Sequence, residues 1–396
     1  MSAIKIADNV WWVGVQDPDL DVFDIIMKTK HGTTYNAYLV KGNDKIALID
    51  TVKKGFTEEY LNNVSEIVPL GQIDYLVVNH NEPDHSGAMA ALIQRAPNLK
   101  LVCSYPALPF VQNVLNIEVP VETVKHDHTL DLGGKTLTFK STPYMHWPDT
   151  MMTWLEQDKV LFSCDGFAAH IAFGDKLYAD QSELDFDHEF RYYFDAIMRP
   201  FTHLIRKSLE KLQGLAVELI ATSHGPLIRK NPQEYIDRYA DWCRDHTEGR
   251  TRAAIFYVSS YGNTKKMTDA IAEELRKAGF ETLLFDSSGM DIQAARDAIE
   301  SSLVVLFGTP TFAADAVRPT WDAVNLLSTV SIKGKKGAVY GSYGWGGEGL
   351  RLVADRLSGM RITLFEEPFR AKLVPSDEEM SAVREWARKL AEFTKG

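Results

Sequence analysis

From about residue 251 to residue 396, short apolar runs alternate with amphipathic stretches, and this alternation leaves few folds open. Residues 253–258, 281–286, 303–307 and 337–340 read as strands, because each is a brief apolar run bounded by turn residues. Residues 263–277, 291–300 and 318–327 between them read as helices, with Met267, Ile271 and Leu275 forming one stripe. Such βα alternation predicts a parallel, doubly wound sheet, whose ligands lie outside the carboxyl ends of its strands.

Three loops fall at those ends. Ser259-Ser260-Tyr261-Gly262-Asn263-Thr264 joins the first strand to the first helix, where amides and hydroxyls at a helix N-terminus hold phosphate; a capped helix without a ligand would use the same residues. Gly308-Thr309-Pro310-Thr311 follows the third strand and Ser342-Tyr343-Gly344-Trp345-Gly346-Gly347 the fourth. Trp345 has little apolar surface beside it, so it reads as a flat wall for a ring rather than as core. The loop after the first strand, Ser259–Thr264, is not the Gly-x-Gly-x-x-Gly of a dinucleotide fold, which favours a mononucleotide over a dinucleotide.

The first 250 residues lack this regularity. Strands are expected at 10–15, 34–41, 45–50, 75–78, 99–103, 121–124, 135–139, 151–155 and 159–163, with 34–41 and 45–50 joined as a hairpin through Gly42-Asn43-Asp44. A helix is expected at 57–68. Strands and helices mixed in this way suit stacked sheets covered by helices. A helix over 231–245 and the polar stretch after it place the junction between domains 1–250 and 251–396.

Within the first domain, His80-Asn81-Glu82-Pro83-Asp84-His85 separates the apolar run Tyr75-Leu76-Val77-Val78 from the start of a helix. Alternation along an extended segment sends His80, Glu82 and Asp84 to one side, and the turn into the helix brings His85 round to them. Read alone, these residues also make a polar, solvated turn. His146 sits between Pro143 and Pro148, Asp165 closes a strand just before Gly166, and His224 precedes Gly225-Pro226. Each alone is an ordinary loop residue; together they repeat one pattern of metal-capable side chains at strand ends.

Composition narrows the partners. The chain has 396 residues, 45% of them hydrophobic and 24% charged, enough for two ordinary globular domains. A net charge of −11 argues against nucleic acid and against an anionic membrane surface. The opening residues lack the apolar core of a signal peptide and no apolar run reaches bilayer length, so the cytoplasm is the expected location. Cys103, Cys164 and Cys243 are far apart and read as buried reduced thiols, with no cysteine-ligated metal site.

The series His80-x-Glu82-x-Asp84-His85, His146, Asp165 and His224 resembles the ligand set of the flavodiiron proteins, or A-type flavoproteins, whose first domain is a metallo-β-lactamase-like αβ/βα sandwich. Zinc hydrolases of that fold place His where Glu82 stands. The resemblance implies one iron on His80, Glu82 and His146, a second on Asp84, His85 and His224, and Asp165 bridging. Four imidazoles and three carboxylates suit iron, manganese or zinc by donor type. His170 resembles a histidine found near the metals in this family, and either orients ligands or is a loop residue. Tyr193 either lines that pocket or belongs to the core.

The loop at 259–264 likewise resembles the phosphate loop of flavodoxins, with Tyr261 where short-chain flavodoxins usually have Thr or Ser. The implied cofactors are FMN and a non-haem diiron pair, and the implied activity is an oxidoreductase that reduces O2 to water, or NO to N2O, with electrons from a small carrier such as rubredoxin. A head-to-tail homodimer, or a dimer of such dimers, is implied as well. A zinc hydrolase and a simple electron-transfer flavoprotein are the alternatives.

Overall fold

A computed structural model describes residues 2–396. The chain forms two compact units, Met1–Arg244 and Asp245–Gly396. The helix expected over 231–245 is Pro232–Trp242.

The first unit is built on two sheets. One runs in the order Ile4–Ala7, Val10–Trp12, Tyr38–Lys41, Ile46–Ile49, Tyr75–Val78, Lys100–Ser104, Val121–Val124; the other is Thr129–Asp131, Thr136–Ser141, Met151–Leu155, Val160–Cys164, Leu219–Thr222. Among their strands, Ile46–Ile49, Met151–Leu155, Val160–Cys164 and Leu219–Thr222 are buried at every residue because both faces are covered. Val40, Ala47, Ile49 and Val77 point into a core shared with Phe139, Phe162 and Ala221 of the second sheet. Their neighbours Leu39, Leu48, Leu76 and Val78 point the other way, toward Tyr60, Leu61, Val64 and Leu92 of the covering helices. This period of two on doubly covered sheets makes the αβ/βα sandwich.

Two expected strands are broken. Residues 10–15 divide into Val10–Trp12 and a strand at Val15–Asp17, and 34–41 into Thr33–Tyr35 and Tyr38–Lys41. The pieces Val15–Asp17 and Thr33–Tyr35 pair only with each other. The break lies at Gly14, where a Cβ would overlap the backbone of Tyr35, Asn36 and Ala37, and at Asn36, whose N–H donates to Ser223 O at 2.8 Å. That switch carries Thr33 and Thr34 to the carboxyl ends of the second sheet's strands.

The second unit has the expected parallel sheet, ordered Glu281–Asp286, Arg252–Tyr257, Val304–Gly308, Lys336–Tyr343, Thr363–Leu364, with Phe369–Lys372 also pairing to Lys336–Tyr343. Ala253 and Ile255 face the helices Asn263–Lys277 and Asp377–Lys395, while Ala254 and Phe256 face the opposite layer of helices. The strand order reverses beside Arg252–Tyr257, which makes the ends of this strand and of Val304–Gly308 the place for a ligand.

Candidate metal centre and cofactor cavity

In the first unit, Tyr75–Val78 runs parallel to both Ile46–Ile49 and Lys100–Ser104, and it delivers His80 to the carboxyl edge of its sheet. Val160–Cys164 and Leu219–Thr222 are also parallel and deliver Asp165 and His224 to the matching edge of the other. His85 comes round on the turn as expected, but Asp84 arrives differently from the expectation. Residues Pro83–Ser86 form one helical turn with Pro83 at its start, so the turn and not strand alternation aims them inward. Gly87 ends this turn in close contact with Lys54 N and Pro83 O, where a Cβ would not fit.

The seven side chains converge as two donor groups. Ligand atoms of His80, Glu82, His146 and Asp165 lie within 4.8 Å of one another, as do those of Asp84, His85 and His224. Asp165 reaches both. Its Oδ2 is 3.6 Å from His80 Nε2 and 3.5 Å from His146 Nε2; its Oδ1 is 3.2 Å from His85 Nε2 and 3.4 Å from His224 Nε2. Glu82 Oε2 lies 3.0 Å and 3.2 Å from His80 and His146 Nε2, and Asp84 Oδ2 lies 3.4 Å and 3.3 Å from His85 and His224 Nε2. All four imidazoles therefore present Nε2 to the carboxylates.

The atoms facing this centre fit a pair of cations. Asp84 Oδ1 and Oδ2, Asp165 Oδ2 and His85 Nε2 are buried without a hydrogen-bond partner among the described residues, a costly arrangement that coordination resolves. The outer nitrogens are already assigned. His224 Nδ1 lies 2.7 Å from Thr34 O, a carbonyl that can only accept, so Nδ1 carries a proton and Nε2 is the atom left to face the carboxylates. His80 Nδ1 meets Asp149 Oδ2 at 3.2 Å.

In the second unit a cavity of about 290 Å³ opens at the carboxyl ends of the strands. Ser259, Ser260, Tyr261, Asn263, Pro310, Thr311, Ser342, Tyr343, Gly344 and Trp345 line it, together with Phe312 and Leu373, which sequence reasoning missed. Trp345 is 90% exposed and Tyr261 88%, so neither belongs to the core. Ser259 Oγ accepts from Lys265 N at 3.1 Å, which caps the helix and leaves the hydroxyl proton free for a ligand. The unpaired amides of the first turn point the same way. Gly262, Thr309, Gly346 and Gly347 are not among the residues that line it. Thr264 is buried, with its hydroxyl 3.1 Å from Ser342 Oγ.

Two family models match the chain: ODP family beta lactamase over residues 33–225 and flavodoxin over residues 255–386. The type A flavoprotein of Rhodobacter capsulatus is 38% identical, with 99% of this chain and 92% of that protein covered. This chain belongs to the flavodiiron family. A nitric oxide reductase from Moorella thermoacetica is 35% identical over 98% of both chains. The solved structure of a rubredoxin oxygen:oxidoreductase from Desulfovibrio gigas matches with a TM-score of 0.71 and 30% identity, covering 100% of this chain and 99% of the other.

The electrostatics of this flavodiiron protein show how strongly the centre demands positive charge. Burial opposes protonation of His224, but the facing carboxylates of Asp165 and Asp84 prevail and push it up to about 10. Burial likewise opposes protonation of His80, yet Asp149 and Glu82 hold it well above the imidazole range. Glu82 and Asp165 go the other way: burial works against their ionisation, and the surrounding imidazoles overcome it. His170 falls well below the usual imidazole value, through burial first and then the charge of His224, so it is a neutral neighbour. Its Nδ1 meets Thr33 Oγ1 at 2.8 Å, and its ring lies 5.0 Å from those of His224 and Tyr193. Tyr193, at the end of the helix Phe186–Tyr193, is buried in the same wall.

Several neighbours of the centre escaped sequence reasoning. Asp149, three residues past His146, closes the same proline-bounded loop, but its partner His80 lies 69 positions away and no motif marks the pair. Asp24 sits in a hairpin beside Glu82, and burial and then the charges of Glu82 and Asp84 push it up to about 6. Its turn places Asp24 and Ile25 at positive φ, which no sequence motif announces. Cys164 is a buried free thiol as expected, but it lies within 4.8 Å of ligand atoms of His85 and Asp165. Burial first, and then the charge of Asp165, keeps this thiol protonated, so the charged donors remain nitrogen and oxygen.

Proposed function

We propose that His80, Glu82 and His146 hold one iron, that Asp84, His85 and His224 hold the other, and that Asp165 bridges them, while the cavity of the second unit holds FMN. The protein is a flavodiiron oxidoreductase with FMN and a non-haem diiron site as its cofactors. When bound, these groups supply electron storage and gas activation, reducing O2 to two waters or coupling two NO into N2O and water. The observation that carries the reading is the division of Asp165: one oxygen toward each donor group, with four Nε2 atoms turned inward.

The chain's own residues do the rest. Thr34 O and Asp149 fix the outer nitrogens of His224 and His80, so both rings are oriented before any metal enters. Ser259 and the first-turn amides of Asn263–Lys277 meet the phosphate. Trp345 and Tyr261 offer flat faces to the isoalloxazine.

A small redox protein such as rubredoxin is our proposed electron donor, and a head-to-tail homodimer, alone or paired, our proposed assembly. Exposed apolar side chains support the dimer. Ile25 is 95% exposed and Ile26 76%, next to Asp24 at the metal centre, and Trp345, Phe312, Leu373 and Val374 are exposed around or beside the flavin cavity. Pairing the metal face of one copy with the flavin face of another covers both. Among the described residues no helix is long and apolar enough to cross a membrane; we read the protein as cytoplasmic.

The test is anaerobic stopped-flow. Fully reduced protein of known metal content is mixed with O2 and, separately, with NO, and flavin reoxidation is followed. Two irons and one FMN per chain with fast reoxidation by at least one gas are expected, and the rate ratio names the preferred gas. Flavin that stays reduced in a zinc-loaded protein overturns the reading.

A further inference from the structure

Tyr340 takes no part in the lining of the flavin cavity, yet it braces two of the elements that form it. Its ring is fully buried and lies against Gly308, where an added Cβ would come 2.6 Å from the phenol carbon. Its hydroxyl lies 2.6 Å from Thr268 Oγ1, and Thr268 Oγ1 donates its own proton to Thr264 O at 2.9 Å. Tyr340 must therefore be the donor in the first of these bonds. One strand period further on, Ser342 Oγ lies 3.1 Å from Thr264 Oγ1.

These contacts form two rungs. Tyr340 and Ser342 share one face of the strand Lys336–Tyr343, because side chains alternate along it. Thr268 and Thr264 share one face of the helix Asn263–Lys277, being one turn apart. The helix N-terminus, whose amides are the proposed phosphate donors, is thus bolted to the strand that leads into the Trp345 loop. Thr264, Thr268 and Tyr340 are all buried, so water does not replace a lost rung.

We propose that Tyr340 is a positioning residue for flavin selection: through Thr268 it sets the first turn of this helix at the spacing a phosphate requires, and so makes the site choose the phosphorylated flavin over riboflavin. The inference rests on the FMN reading of the cavity. It assigns discrimination to a group that touches neither flavin, and that group acts on the phosphate end alone.

The test uses the full-length chain, stripped of flavin, with FMN and riboflavin titrated separately by fluorescence quenching. Tyr340→Phe keeps the ring against Gly308 and removes only the donor. It is expected to weaken FMN by about three- to tenfold, the loss of one buried hydrogen bond, and to leave riboflavin within twofold. Thr268→Val removes the same rung from the other side and is expected to lower the FMN-to-riboflavin ratio equally, with no further loss in the double variant. Equal weakening of both flavins would make Tyr340 a brace of the whole unit, and unchanged FMN affinity would make the rung irrelevant; either overturns the inference. A parent protein that does not prefer FMN to riboflavin fails the cavity reading itself and is recognised before any variant is made.

Discussion

Asp149→Asn isolates the charge behind the metal centre without disturbing its bonds. Asp149 is fully buried, and its Oδ2 accepts from Asn81 N at 2.9 Å, from Asn81 Nδ2 at 3.2 Å and from His80 Nδ1 at 3.2 Å. Its Oδ1 has no partner among the described residues. An asparagine whose carbonyl oxygen takes the Oδ2 place keeps all three acceptor bonds and puts its amide where nothing was bonded. The variant should therefore fold with a melting temperature close to the parent's. The lost quantity is the negative charge that makes His80 a stronger donor. Loss of such an outer carboxylate weakens metal binding by about 10–100-fold, or about 1.4–2.7 kcal/mol. Titration of metal-free protein with Fe(II) under chelator competition should show one of two equivalents weakened by that factor and the other much less. Asp149→Ala, by contrast, leaves the buried Asn81 N–H unpaired and should cost about 1–3 kcal/mol of stability. If Asp149→Asn binds both equivalents as tightly as the parent, Asp149 does not support the centre through His80.

Asp165→Ala removes the side chain that, among the described residues, reaches both donor groups, so both irons should be lost while FMN remains; an iron content near two per chain would refute the bridging role. Trp345→Ala should weaken FMN by about two- to tenfold, the worth of one aromatic contact, with iron content unchanged by metal analysis. Lys335 is buried, and burial pushes its ammonium down to about 8 from 10.5, despite the nearby Glu300 and Asp245. The unfolded chain then binds more protons between pH 8 and 10.5, so stability rises with pH across that window and the penalty, about 3 kcal/mol, is complete below it. Lys335→Met also removes the Nζ bonds to Glu300 O and Ser302 O, a loss that shifts its stability by a similar amount across this window, so chemical denaturation should show the variant's stability relative to the parent falling by about 3 kcal/mol as pH rises from 8 to 10.5; a constant difference would refute it.

The second unit was the more legible in the sequence because parallel βα repeats write both of their periods plainly. Ala253 and Ile255 against Ala254 and Phe256 is a period of two, and Met267, Ile271 and Leu275 a helical stripe, each continuing without interruption. The first unit hid its breaks. Gly14 and Asn36 look like strand residues until one sees that a Cβ at residue 14 would strike the Tyr35 backbone and that Asn36 is held by Ser223, far away in sequence. Metal-capable residues were visible because His and carboxylates at strand ends are uncommon in combination. Their supports were not, since Thr34 acts through its carbonyl and Asp149 through a partner 69 positions away. A carbonyl is common to every residue, so no composition or spacing can flag it. The Tyr340 rung was invisible for the same reason: a tyrosine in an apolar strand reads as core, and only the packed helix reveals a partner for its hydroxyl.

The two supports that sequence could not show also decide how the centre relates to folding. In small zinc domains the ion assembles its own ligands, and the chain without it is unfolded. Here the proposed ligands come from four separate segments, and three of these are fixed by something other than metal. The sheets that deliver His80, Asp165 and His224 pack a common apolar core beneath them, including Val77, Phe162 and Ala221. Thr34 O and Asp149 hold two of the rings, and Ser223 Oγ donates to Asp165 Oδ1 at 2.6 Å. The protons taken up by His80 and His224 offset the carboxylate charge in the meantime, so repulsion among Glu82, Asp84 and Asp165 does not force the pocket apart. Metal entry is then an exchange of protons for cations in a pocket already shaped by the sandwich, and the stability of the first unit should depend on its core more than on its metal.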